Sequence, residues 1–256
     1  ILRSYDPLLI MKITIIGSGS KGNSTLIETE NTAVLIDAGL PLSNIEKRLN
    51  RKLPRLDIII ITHTHTDHIK GLQSILKKQT PLIYTIENDL TEKVSITTNI
   101  SYDKEITIEN LTISLFELSH DVPCLGVSIK TKDKEMVYIT DTGYIKDKLL
   151  KKYQNKDIYI LESNYDEEMI KNGSYPFYLK QRIRSDKGHL SNKDTCRYLK
   201  TLIGNKTKYL CLAHLSEENN TPDIVKKEVS HTIKNIDNNL ESIIICSQYE
   251  IEEINI

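Results

Sequence analysis

The residues best placed to do chemistry lie in one stretch. Ile58-Ile59-Ile60-Ile61 runs directly into Thr62-His63-Thr64-His65-Thr66-Asp67-His68. In an extended chain, residues two apart point the same way, so His63 and His65 can aim two imidazoles at one point. Asp67 and His68 follow where the chain must turn, and can reach a second point nearby. Three histidines and a carboxylate within six residues offer imidazole nitrogen and carboxylate oxygen, a set that suits Zn, Mn or Fe. The plain alternative is a polar loop that happens to be rich in histidine. Against it, five of the seven histidines in the chain fall in this motif or in two later ones that complete it.

Three other strand ends carry matching groups. Leu115-Phe116-Glu117-Leu118-Ser119-His120-Asp121 leads to His120, Val137-Tyr138-Ile139-Thr140-Asp141 to Asp141, and Tyr209-Leu210-Cys211-Leu212-Ala213-His214 to His214. Any one alone reads as an ordinary turn residue. Together with the first motif they supply five histidines and two aspartates, the count for two metal ions sharing a carboxylate. Such a pair lowers the pKa of a shared water and clamps both oxygens of an in-line displacement, so no protein nucleophile is needed.

The elements that must position these groups alternate between strands and helices. The unbroken β-branched run at 57–62 reads as a strand buried on both faces. Strands are expected at 12–16, 24–28, 33–37, 82–85, at 106–118 as two strands around Glu109-Asn110, at 126–131 with 135–140 as a hairpin, and at 157–161, 208–212 and 242–251. Helices are expected at 42–49 (Ser43 a possible cap), 69–78, 87–93, 165–171, 177–184, 191–203 and 223–234. Gly17-Ser18-Gly19-Ser20-Lys21-Gly22 matches G-x-G-x-x-G, with Asp37 about twenty residues on. A dinucleotide fold would need a helix after the third glycine, where this sequence has strands; the loop reads instead as a tight turn that brings backbone close to a site. Interleaved strands and helices with no linker, repeat or low-complexity run suggest one layered α/β domain over residues 11–256. Residues 1–10 read as an extension outside the fold, since Met11 leads straight into a strand.

Apolar residues make up 39% and charged residues 27% of the 256, with a formal net charge of −1. That balance describes a globular chain with a sizeable core and no global field for nucleic acid. No apolar run approaches membrane-spanning length, and no signal peptide is legible. Cys124, Cys196, Cys211 and Cys246 have no C-x-x-C spacing and read as reduced, mostly buried thiols of a cytoplasmic protein.

H-x-H-x-D-H followed by a separate His, Asp and His resembles the ligand series of the metallo-β-lactamase-fold hydrolases. Gly17–Ser24, Asp37-Ala38-Gly39, Ser119-His120-Asp121, Thr140–Tyr144, Glu162-Ser163-Asn164, Gly188–Asn192 and Ala213–Asn220 resemble, more narrowly, the bacterial YycJ (WalJ) type, regarded as single-domain DNA exonucleases. The resemblance implies an αββα sandwich with metals at the edge of two mixed sheets. It implies His63, His65 and His120 on one ion, Asp67, His68 and His214 on a second, and Asp141 bridging. Many members are expected to carry His where this chain has Tyr165, so that position is given no role. Asp37 is a candidate outer partner of a ligand histidine, or simply a turn residue before Gly39.

The fold hosts several hydrolases, so substrate must be argued from the site. Lys180-Gln181-Arg182-Ile183-Arg184-Ser185-Asp186-Lys187-Gly188-His189 holds several cations against one acid, which suits a phosphate backbone; the alternative is a solvated helix face. Arg182, Arg184, Lys187 and Asn164 are the substrate-binding candidates. Asp67 is the candidate for orienting the attacking hydroxide, and His189 or His214 for donating to the leaving oxygen. The expectation is a metal-dependent phosphodiesterase, a DNA rather than RNA exonuclease using two divalent ions (Zn or Mn, or Fe). The alternatives are an ester, thioester or lactone hydrolase on the same site, or a non-catalytic regulatory protein. Oligomeric state is not legible.

Overall fold

A computed structural model of the chain describes residues 11–86, 97–99 and 101–256. The expected extension at 1–10 and the expected helix at 87–93 lie outside the described residues. The described residues form two mixed sheets with flanking helices. Within the range expected as one domain, the chain makes two compact units from interleaved segments. One takes residues up to 116 with 129–134 and 247–256; the other takes 117–128 and 135–246.

The first unit holds β1 (Lys12–Gly17), β2 (Ser24–Glu28), β3 (Ala33–Ile36), β4 (Ile58–Ile60), β5 (Leu82–Thr85), β6 (Thr97–Asn99) and β14 (Glu252–Asn255), in sheet order β14-β1-β2-β3-β4-β5-β6. The pairs from β14 to β3 are antiparallel and those from β3 to β6 are parallel. A hairpin of β7 (Lys104–Ile108) and β8 (Leu111–Leu118) turns at Glu109, whose φ is +49°. Ile58 to Ile61 are buried to within 1%, which explains why the run reads as unbroken hydrophobe. Burying each such side chain contributes roughly 1.5–3 kcal/mol.

Helix α1 (Leu42–Leu49) buries Ile45 and Leu49 and stops at Asn50 in the left-handed conformation. Ser43 does not cap it. Pro41 precedes the first turn, and the Leu42 N–H donates to Ser74 Oγ at 2.8 Å. The single helix expected at 69–78 is two, α2 (Thr66–Ile69) and α3 (Leu72–Leu76), parted at Gly71. Gly71 donates to Ala38 O at 2.7 Å. A Cβ there would lie 1.8 Å from Leu40 O, so only glycine lets the two segments touch.

The second unit carries β9 (Cys124–Lys130, whose last two residues fall in the first unit), β10 (Glu135–Ile139), β11 (Ile158–Glu162), β12 (Tyr209–Ala213) and β13 (Ser242–Ile245), in order β13-β12-β11-β10-β9. The ladders β10–β11, β11–β12 and β12–β13 are all parallel. Its helices are α4 (Asp147–Lys152), α5 (Glu167–Asn172), α6 (Phe177–Ile183), α7 (Asn192–Leu202) and α8 (Pro222–Ile233). Ser191 caps α7 by accepting from Asp194 N, Thr221 caps α8 with Pro222 in the first turn, and Asp166 caps α5. The helix expected from Tyr165 therefore starts two residues later, and Tyr165 instead bridges Ser191. Of the strand expected at 242–251 only the first four residues form one, β13 in the second unit; 246–251 are not strand, and β14 in the first unit begins beyond the expected span, at Glu252. All four cysteines are free and three are buried.

Candidate metal centre

In the first unit the chain leaves β4 and places its polar residues on a short path. His63 is fully buried, and its ring centroid lies 4.6 Å from that of His65 and 4.0 Å from that of His68. His65 precedes α2, whose first turn carries Asp67 and His68. Asp37, at the end of β3 with φ +59°, accepts from His68 Nδ1 at 2.7 Å and from the Thr62 backbone N–H at 2.8 Å. Burial pushes the Asp37 carboxyl up, while the charge and hydrogen bond of His68 pull against it. With Nδ1 occupied, His68 presents Nε2 outward, 3.5 Å from Asp67 Oδ2.

Asn23 fixes the other side. Its Nδ2 lies 3.1 Å from Asp67 Oδ2 and 3.0 Å from His68 Nε2, and its Oδ1 accepts from Gly19 N at 2.8 Å. Gly22 N donates to Gly19 O, and Gly19 and Gly22 take φ of 137° and 149°. The glycine loop is thus a tight turn that seats Asn23 against the motif. Gly39 closes the same corner: a Cβ there would lie 1.7 Å from Asp67 O.

In the second unit the centre of the arrangement is Glu162, fully buried at the end of β11. Its Oε1 accepts from His189 Nδ1 at 2.8 Å and His214 Nδ1 at 3.0 Å. Its Oε2 accepts from the backbone N–H groups of Thr142 and Leu190, both at 3.1 Å. Burial alone would raise this carboxyl, but His189 and His214 together hold it well below the usual range. His214 Nε2 lies 3.4 Å from Asp141 Oδ1, and both residues hold left-handed φ, +56° and +58°. Such conformations cost on the order of 1–3 kcal/mol outside glycine and concentrate at functional sites. His120 Nδ1 contacts Gly188 O at 3.2 Å, and burial pushes its pKa down. The His189 ring lies 5.3 Å from that of His120 and 5.2 Å from that of His214.

The donor chemistry of both units fits a divalent cation. Asp141, Glu162, His189 and His214 each bring a ligand-type atom within 4.8 Å of the others. In the first unit, Asp67 Oδ2 and His68 Nε2 converge on one Asn23 amide nitrogen, so their lone pairs point at a common place. In both units a carboxylate binds histidine Nδ1 and Nε2 faces an aspartate, the arrangement that orients ligating imidazoles.

The remaining candidates fall in the second unit. Asn164 is buried and donates to His214 O at 2.7 Å, so its amide supports a histidine. Arg182 is paired with Asp121, and Asp121 Oδ1 lies 3.3 Å from His120 Nε2. Arg184 and Lys187 are exposed. Glu162 and Asn23 had no role in the sequence reading. Glu162 could have been found by the rule that singled out Asp141 and His214, a ligand-type polar residue where a hydrophobic strand ends. Asn23 carries no comparable signal.

Residues 32–214 match the beta-lactamase superfamily domain. The chain belongs to that superfamily. The matched segment contains His63, His65, Asp67, His68, His120, Asp141 and His214. Among similar proteins is the exodeoxyribonuclease WalJ of Streptococcus pneumoniae serotype 2 (strain D39 / NCTC 7466), 38% identical over 86% of this chain and 85% of the relative. The exodeoxyribonuclease YycJ of Bacillus anthracis is 30% identical over 88% and 89%. The crystal structure of YhfI from Bacillus subtilis, a metallo-beta-lactamase fold protein, superposes with a TM-score of 0.73 at 22% identity, covering 95% of this chain and 99% of that one. That superposition places the two-sheet architecture in the metallo-β-lactamase fold.

Proposed function

We propose that this member of the beta-lactamase superfamily is a metal-dependent DNA exonuclease acting on its substrate in the cytoplasm. The observation that carries the substrate class is the likeness to exodeoxyribonucleases, which extends over 86% and 88% of the chain. Among the described residues no helix is long and apolar enough to cross a membrane.

By the family's ligand series His63, His65 and His120 would hold one ion and Asp67, His68 and His214 a second, with Asp141 serving both and Zn or Mn as the metals. Bound divalent ions would supply a water of lowered pKa and neutralise charge at the phosphorus undergoing in-line displacement. The side chains do the rest. Asp37 and Glu162 fix the Nδ1 tautomers of His68, His189 and His214. Asn23 holds Asp67, which orients the attacking oxygen. His189, held through Nδ1 by Glu162 and partly exposed, donates to the leaving oxygen from Nε2 in its imidazolium form, both ring nitrogens then carrying a proton. Arg184 and Lys187 meet the phosphate backbone, and Arg182 does so while keeping Asp121 in place.

The test is incubation of the purified chain with DNA duplex, single-stranded DNA and RNA, each end-labelled, with Mn²⁺, Zn²⁺ or a chelator. Stepwise release of nucleotides from DNA, abolished by chelation, is expected. Absence of shortening with every metal, alongside turnover of an ester or thioester, would replace the exonuclease with a small-molecule hydrolase.

A further inference from the structure

Helix α6 buries no residue. Of the two phenylalanines in the chain, Phe116 lies in the core, whereas Phe177 is 74% exposed and its neighbour Tyr178 72% exposed. Scattered surface hydrophobes are ordinary, but two adjacent large aromatics left in solvent on one short helix need a reason. Leu179 and Ile183 turn half inward, so Phe177, Tyr178 and Arg182 are left on the outer side. Tyr178 and Arg182 are four apart, hence neighbours on that surface.

The helix is fixed to the His189 side of the second unit. Lys180 Nζ donates to Lys171 O at 2.9 Å and Gly173 O at 2.7 Å. His189 N donates to Ile183 O at 2.9 Å, Ser119 Oγ donates to Asp186 O at 2.7 Å, and Arg182 pairs with Asp121. A Cβ on Gly188 would lie 2.1 Å from Ile183 O, so the turn between α6 and His189 is closed tightly. Six helical steps from Phe177 to Ile183 rise about 9 Å, and His189 N bonds the far end of that helix, so the aromatics lie within the reach of a short stretch of strand from His189. Between the aromatics and His189 the chain carries Lys180, Arg182, Arg184 and Lys187 against the single acid Asp186.

We infer that Phe177 and Tyr178 form a stacking platform for unpaired DNA bases close to the scissile phosphate, which gives the site a preference for single-stranded or frayed ends. The inference rests on the exonuclease reading for its substrate class. Aromatic faces stack on any base, and the cations beside them match the backbone that accompanies those bases. Because the helix is already fixed, little ordering is needed when the strand arrives.

The test compares, at one salt concentration with Mn²⁺ present, the affinity of a nuclease-resistant phosphorothioate single strand with that of an abasic strand of equal length. The wild-type chain should prefer the base-bearing strand by roughly 5- to 150-fold for each stacked base. Phe177→Ala with Tyr178→Ala should collapse that ratio towards one, while Phe177→Tyr with Tyr178→Phe should keep it; thermal melting checks that both fold. A wild-type ratio near one, or a ratio unchanged in the alanine variant, overturns the platform. So does a wild-type dimer in sedimentation that dissolves in the alanine variant, because the aromatics would then be an interface between copies. Cleavage is read separately: a chain that stacks bases but never shortens end-labelled DNA keeps the platform and sinks the exonuclease reading.

Discussion

Replacing Glu162 with Gln keeps the shape of the side chain and changes only its hydrogen-bonding character. Every group facing the carboxylate donates: His189 and His214 to Oε1, Thr142 N and Leu190 N to Oε2. An amide has one oxygen and one NH₂ group, so in either orientation two of the four donors lose their acceptor. Each buried donor left without an acceptor costs about 1–3 kcal/mol, which gives a loss of about 2–6 kcal/mol for Glu162→Gln. In a domain of this size that corresponds to a Tm lower by roughly 5–20 °C. Thermal unfolding of metal-free protein measures it, and metal titration should show affinity falling about 10- to 100-fold. The sign with pH is also set. Glu162 is held below the usual carboxylate range, so its stabilisation is full above the unfolded value of about 4.3 and fades as pH falls. The gap between wild type and variant should therefore narrow in acid. A Tm within 1–2 °C of wild type near pH 7 (about the error of such a comparison), with metal affinity unchanged, would refute the reasoning.

Asp67→Ala should abolish DNA hydrolysis and leave the metal-free protein folded, as circular dichroism would report, because Asp67 is a half-buried residue beyond the core strand. Elemental analysis of Mn²⁺- or Zn²⁺-loaded protein should approach two ions per chain; a value fixed at one, unaltered by Asp67→Ala and His214→Ala, removes the second site. His189→Ala should retain bound metal and lose about 10²–10⁴-fold in rate, the range for a general acid. Arg184→Gln with Lys187→Gln should weaken DNA binding and flatten the log–log salt slope by about 1.4–1.8, the value for two lost phosphate contacts. Gly39→Ala should fail to fold or lose several kcal/mol in denaturant unfolding, since a Cβ would meet Asp67 O at 1.7 Å.

What was legible in the sequence was local. Hydrophobic strands announced themselves by composition, and the first or second polar residue after each marked the groups at His63, Asp141 and His214. The partners of those groups were not legible in the same way. Asp37 was legible as a candidate partner of a ligand histidine, though not that it takes His68, 31 residues on; Asn23 reaches Asp67 across 44 residues, and only the folded loops bring those two into contact. The break between α2 and α3 was hidden for the same reason, since Gly71 is needed to clear Leu40 O rather than to satisfy anything in its own helix. The run 242–251 looked like one strand because Ile243-Ile244-Ile245 is β-branched and Tyr249 and Ile251 alternate with polar residues after it, yet Cys246 N still bonds Leu212 O while Ser247 O accepts from Ser18 N. The chain changes sheets between adjacent residues, and periodicity carries no record of that.

The return of β14 to pair with β1 has a consequence for biosynthesis. Lys12 pairs with Asn255 and Ile15 with Glu252 on one side of β1, while β2 takes the other. From Gly17 to Glu252 the ribosome must add about 235 residues, which at about 5–20 residues per second takes on the order of 10–50 s. For that interval a fully apolar stretch, Ile13 to Ile16 interrupted only by Thr14, presents an open row of backbone donors and acceptors, the kind of edge that recruits other strands. The nascent chain is thus exposed to aggregation at β1 until β14 emerges. Its yield in a cell should depend on what shields that edge during synthesis at least as much as on the stability of the finished fold.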